Sequence, residues 1–99
     1  MDNGTLSAST YDAFRAHPLL RGAEEVLERH WPPDQVVEEH THPFDADAVV
    51  SAGEMWLTRA GVTEHLKAGD TFSLPAGTPH AERYGPQGAT YWVARRRVR

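Results

Sequence analysis

His40-Thr41-His42, taken with Gly69-Asp70-Thr71-Phe72-Ser73-Leu74-Pro75-Ala76-Gly77-Thr78-Pro79-His80, decides the fold and the chemistry expected of this chain. Side chains two apart on a β-strand point to the same face. His40 and His42 are therefore predicted to project side by side, close enough for both imidazoles to hold one ion. The turn built on Pro75, Gly77 and Pro79 can deliver His80 to an adjacent strand facing the same point. Three neutral imidazoles converging in this way suit zinc, copper, iron or nickel. A single His-x-His is more often a pair of solvated side chains. The third histidine, behind its own glycine–proline turn, shifts the balance towards a metal site.

These stretches resemble the two motifs of the cupin superfamily. The first motif is a glycine, five residues, His-x-His, three or four residues, Glu, six residues, Gly. The second is Gly, five residues, Pro-x-Gly, two residues, His, three residues, Asn. Gly69, Pro75, Gly77 and His80 match the second at every spacing, and His40, His42 and Gly53 match the first. Ala46 stands at the tighter of the two glutamate positions, Asp34 replaces the leading glycine, and Tyr84 replaces the asparagine. The resemblance extends from residue 24 to residue 94. It implies an all-β fold, a small antiparallel β-barrel or double-sheet jelly roll, with a metal in its lumen. It further implies His40, His42 and His80 as ligands of a divalent transition metal (Fe, Zn, Ni, Cu or Mn), and a homodimer as the assembly.

Composition bounds the alternatives. Ninety-nine residues, 39% of them hydrophobic, make one domain with a single modest core and argue against disorder. No apolar run approaches the length of a membrane span and no cationic-then-apolar leader is present, so a soluble, cytoplasmic protein is expected. The chain has no cysteine, so a metal must sit on nitrogen and oxygen. The net charge is −4 although Arg95, Arg96, Arg97 and Arg99 crowd the last five positions. Such an end can suggest nucleic acid. The acidic body would repel phosphates, so a solvated strand end is the better reading and no nucleic-acid partner is expected.

Along the chain, residues 1–22 read as an extension with a short helix and residues 23–99 as a single barrel domain. Residues 1–10 are small and polar, and a loose N-terminus is expected. Thr10 can cap a helix that Pro18 ends near His17, laying Tyr11 and Phe14 on the outside of the barrel. Strands are predicted from Ala23 to Trp31, from Val36 through His42, and from Phe44 to Ala52. Gly53 is then expected to open a hairpin of Glu54–Arg59 and Val62–Lys67 turning at Ala60-Gly61, followed by Thr71–Leu74. Gly85-Pro86-Gln87-Gly88 is predicted to turn the chain into a last strand from Ala89 to Arg97. Strand parity places Ala46, Ala48 and Val50 on the lumen side; Met55 and Leu57 read as core, and Trp92 is counted with the lumen lining. Asp45 and Asp47 point out; His30 and His65 read as surface residues.

Glu82 and Tyr84 share the parity of His80 and are the candidate catalytic residues. Glu82 reads as a proton-transfer or metal-supporting carboxylate, or else as the partner of an arginine across the sheet. Tyr84 either offers its hydroxyl to a ligand or fills the barrel mouth. A fourth, oxygen ligand from Asp45, Asp47 or Glu82 stays open. Without one, the ion keeps more of its positive charge and favours anionic, chelating partners. Three-histidine iron sites occur in cupin dioxygenases, and this site resembles theirs in ligand set. The expected function is a metal-dependent oxygenase, or a related lyase or isomerase, acting on a small oxygen-rich molecule. The alternative is a non-enzymatic module that binds a metal or small molecule as a sensor.

Overall fold

The computed structural model describes residues 8–97; residues 1–7 of the predicted loose N-terminus lie outside it. The helix α1 (Tyr11–Arg15) is capped as expected, the Thr10 hydroxyl accepting from the Ala13 N–H at 3.1 Å. It stops short of His17, which caps a separate 3-10 turn, Pro18–Leu20. Six strands follow: β1 (Glu25–Trp31), β2 (Val36–His40), β3 (Phe44–Arg59), β4 (Val62–Lys67), β5 (Thr71–Leu74) and β6 (His80–Arg97). None of the described helices is long and apolar enough to cross a membrane.

All pairings are antiparallel. The long strands β3 and β6 run against each other from the Phe44–Arg97 pair to the Thr58–Ala81 pair. β1 and β5 flank one half of this ladder, and β2 and β4 flank the other. The two halves face each other over a core of Ala46, Ala48, Val50, Met55, Leu57, Leu66, Phe72, Leu74, Tyr84, Tyr91 and Val93. The all-β, antiparallel expectation holds, with the six strands in one bent sheet. The closed barrel does not, because the sheet is not closed.

The expected hairpin of Glu54–Arg59 and Val62–Lys67 forms, but neither Gly53 nor the Gly85–Gly88 segment ends a strand, contrary to expectation. β3 and β6 run through them, with shifts in the ladder between Val50 and Ala52 and between Gly53 and Met55. Such bulges bend a strand without breaking its pairing. Gly53 (φ 74°) and Gly88 (φ 72°) meet at the bend, where a Cβ on Gly53 would lie 2.2 Å from the Gly88 carbonyl oxygen. Asp34, standing where the cupin motif has glycine, has φ 60°, the left-handed conformation that Asp tolerates better than most residues.

Parity survives Pro43: Ala46, Ala48 and Val50 are buried in the core, as expected. Trp92 is the exception. It faces the other way and forms a second cluster with Phe14, Leu20, Val49 and Ala94, so the N-terminal segment roofs the outer face of the sheet. Tyr11 anchors this roof through its hydroxyl, which donates to the Val26 carbonyl at 3.0 Å.

Gly53→Ala is expected to lower unfolding free energy by about 3 kcal/mol or more, summing positive-φ strain and overpacking. Gly61→Ala, with the same backbone hand but open space around it, should cost only about 1 kcal/mol. Urea denaturation of both variants checks the difference.

Candidate metal centre

The three histidines come together. Their ligating nitrogens all lie within 4.8 Å of one another, and the ring centroids are 4.3–5.2 Å apart. His40 ends β2 and pairs directly with His80, which begins β6. His42 lies beyond the end of β2 rather than within it, yet its ring turns back to the same point and stacks on Phe44. The loop carrying His80 is pinned from the His42 side: the Gly77 N–H donates to the His42 carbonyl at 2.9 Å, and the Ala76 N–H to Asp45 Oδ1 at 2.8 Å.

Ring orientation follows from backbone carbonyls, which can only accept. His40 Nδ1 donates to the Glu38 carbonyl at 2.7 Å and His80 Nδ1 to the Thr78 carbonyl at 2.9 Å. In the neutral tautomer both rings then present a bare Nε2 lone pair to the common point, the arrangement a metal-binding imidazole needs. His80 Nε2 is buried and has no hydrogen-bond partner. A buried polar atom without a partner is costly. An ion at this point would satisfy it, so the residues present fit a metal bound through nitrogen and oxygen. Burial, reinforced by His40 and His80 beside it, holds His42 below the usual imidazole range and keeps its lone pair free at neutral pH.

Glu82 is buried, 8% exposed, and directed to the same point. Its Oε2 lies 3.3 Å from His80 Nε2 and 3.6 Å from His40 Nε2, while its Oε1 accepts from the Tyr84 hydroxyl. Among the described residues no arginine pairs with it, so the cross-strand ion pair is absent there. Tyr84 is fully buried behind Glu82, stacked on Trp31 with ring centroids 5.0 Å apart; its hydroxyl goes to the carboxylate. Asp45 is engaged by the Ala76 N–H, and Asp47 by Ser73 and Arg96, the latter at 2.8 Å.

The histidines open on a cavity of about 100 Å³. Phe44, Phe72, Leu74 and Val93 supply its apolar wall, and Glu82 is its one carboxylate among the described residues. The two positively charged lining residues, Arg29 and Arg95, are absent from the sequence expectation. The Arg29 signal was available, since alternation along β1 sets Arg29 on the inward face with Leu27 and Trp31. Arg95 departs from the solvated strand end that the sequence suggests. Its guanidinium instead lies over the Phe44 ring at 4.6 Å, with Glu25 at 3.2 Å and a buried, unpartnered Nε. His30 and His65 stay on the surface, as expected, the latter stacked on Trp56.

Burial first, then for Tyr84 the neighbouring Tyr91 phenol followed by the charge of Glu82, and for Tyr91 the charge of Glu82, raises both phenols above the ordinary value. The unfolded chain, with tyrosines near about 10, sheds these protons first. This contribution to stability is thus complete below that pH and is lost as pH rises above it. Melting temperature should therefore fall above about pH 10, with part of the tyrosinate absorbance appearing only on unfolding. A full tyrosinate signal from folded protein would contradict this.

Comparison with known proteins follows the same lines. A sequence model of the Cupin domain matches residues 27–91. A protein of unknown function from Rhizobium leguminosarum bv. viciae 3841 superposes with a TM-score of 0.70 at 19% identity, over 74% of this chain and 69% of that one. An uncharacterized protein with a double-stranded β-helix domain from Klebsiella pneumoniae gives 0.64 at 28% identity, over 77% and 69%. The DMSP lyase DddQ from Ruegeria pomeroyi DSS-3 gives 0.69 at 25% identity, over 76% of this chain but only 39% of the lyase. No curated protein sequence matches. With its fold and most of its length thus accounted for, the chain belongs to the cupin family.

Proposed function

We propose that this cupin is a metal-dependent enzyme, an oxygenase or a related lyase or isomerase, acting on a small, oxygen-rich, anionic molecule. His40, His42 and His80 hold a divalent transition metal. The observation that carries the reading is the convergence of three imidazoles around a buried His80 Nε2 that no protein group satisfies. A bound ion of this kind supplies a Lewis acid that can take a chelating oxygen ligand.

The remaining roles belong to the protein. Arg29 and Arg95 add two permanent positive charges to a cavity whose one carboxylate is Glu82, so an anion is favoured there. Phe44, Phe72, Leu74 and Val93 limit the water around it. Glu82 Oε2 stands beside the Nε2 atoms of His80 and His40, and Tyr84 acts through it as a positioning residue. The likeness to a DMSP lyase supports a lyase among the candidate activities. We also infer a homodimer, formed through the outer row of Val36, Arg83, Trp56 and His65 on β2, β6, β3 and β4, where Val36 is 57% exposed. A cytoplasmic location goes with this reading.

Elemental analysis should find a transition metal in the purified protein and at least about tenfold less in His80→Ala. Equal content would end the assignment. Ferrous protein is expected to consume oxygen with one of a panel of β-diketones, thiols and catechols, or else to convert a small carboxylate by elimination or isomerisation followed by proton NMR. Metal binding without any turnover would favour the sensor module. Arg29→Gln and Arg95→Gln should each weaken binding of an anionic ligand such as malonate about tenfold, and leave its neutral diamide unaffected, in isothermal titration.

A further inference from the structure

We propose that Glu82 is the fourth protein ligand of the metal, replacing from β6 the carboxylate that the first motif lacks. The inference rests on the three-histidine reading above and extends it. Ala46 has no oxygen to offer at the tighter glutamate position, and it is buried in the core. Asp47, at the looser position, lies on the opposite strand face and is taken by Ser73 and Arg96. Asp45 is likewise taken, by the backbone of the loop before His80. Among the described residues lining the cavity, Glu82 alone carries a carboxylate.

Its geometry is that of a ligand. Two donors, each about 2.0–2.2 Å from a shared ion at tetrahedral to octahedral angles, lie about 3.0–3.6 Å from one another. Glu82 Oε2 stands 3.3 Å from His80 Nε2 and 3.6 Å from His40 Nε2. Its approach to His80 Nε2 is not a hydrogen bond, since that nitrogen has no partner. Two buried acceptors, a lone pair and a carboxylate oxygen, thus face one another. A cation there relieves both at once.

The other carboxylate oxygen is held by Tyr84, which takes the place of the motif's asparagine. A ligating carboxylate is generally fixed by a hydrogen bond to its free oxygen, and Tyr84 supplies it. Two departures from the cupin pattern, Ala46 in the first motif and Tyr84 in the second, therefore belong together. The carboxylate moves from the first motif to position 82, and a phenol replaces the asparagine to hold it. Glu82 follows His80 at a spacing of two, so both side chains project from one strand face, about 6.5 Å apart along the backbone, a gap that a glutamate can close.

Cobalt(II) titration of the whole chain, read by its visible d–d bands and by competition with a chelator, tests this. Glu82→Gln is expected to weaken binding about tenfold to a hundredfold and to shift the bands, whereas Asp47→Asn leaves both unchanged. Unchanged affinity and bands in Glu82→Gln would overturn the inference, as would an equal loss in Asp47→Asn. His80→Ala separates the two levels. If it abolishes binding while Glu82→Gln does not, the histidine site stands and only the carboxylate assignment falls. If it binds like wild type, the site itself falls. Should Glu82→Gln fail to fold, wild-type protein carrying carboxylate-labelled glutamate still decides. Zinc addition should shift a glutamate carboxylate band in the infrared difference spectrum, and no shift would refute ligation.

Discussion

The ladder between β3 and β6 is the constraint on which the molecule depends. It runs from Phe44–Arg97 to Thr58–Ala81, and every other strand attaches to one half of it. A flat ladder of that length would spread its apolar face across a single plane and leave it wet. The bend where Gly53 meets Gly88 folds the two halves over one another, so that Ala48 and Val93 of one half share a core with Met55, Leu57 and Tyr84 of the other. The pairing is kept through the bend because bulges absorb the extra residues.

The same bend positions the chemistry. β6 begins with His80 and Glu82 in the half paired to β2, and ends with Val93 and Arg95 in the half paired to β1. Folding one half over the other brings the histidines of the first to the arginine of the second, which lines the same cavity. Polar groups around the histidines are consistently accounted for. The Nδ1 atoms of His40 and His80 are spent on carbonyls, Asp45 on the loop, Asp47 on Ser73 and Arg96, and Tyr84 on Glu82. What is left over at the histidines themselves consists of imidazole nitrogens and a single carboxylate oxygen. The leftover atoms are therefore of the kind a cation satisfies, in a cavity whose remaining charges suit an anion.

The short-range features were legible because each has a local cause. Thr10 caps its helix, Ala60-Gly61 makes a two-residue hairpin with φ of 51° and 77°, and alternation sorts Met55 and Leu57 from Trp56 and Thr58. The errors share a cause as well. Gly53 and Gly85–Gly88 look like strand ends in sequence, yet in the fold they are bends inside continuous strands, because each is needed by the other across the ladder. Trp92 defies its sequence expectation because its outward face is as dry as the inward one once Phe14 and Leu20 cover it. Arg95 does so because four arginines near a chain end look alike until the cavity selects one of them.

By itself, then, the order of residues determined which side chains share a strand face and which turns deliver His80, because period-two alternation and glycine–proline turn chemistry are local. It also determined that a metal here must live on nitrogen and oxygen. Only the tertiary structure decided which carboxylate meets the histidines, that two arginines meet them too, and that the sheet stays open. Those outcomes depend on where distant halves of a bent ladder come to rest, and no local rule carries that distance.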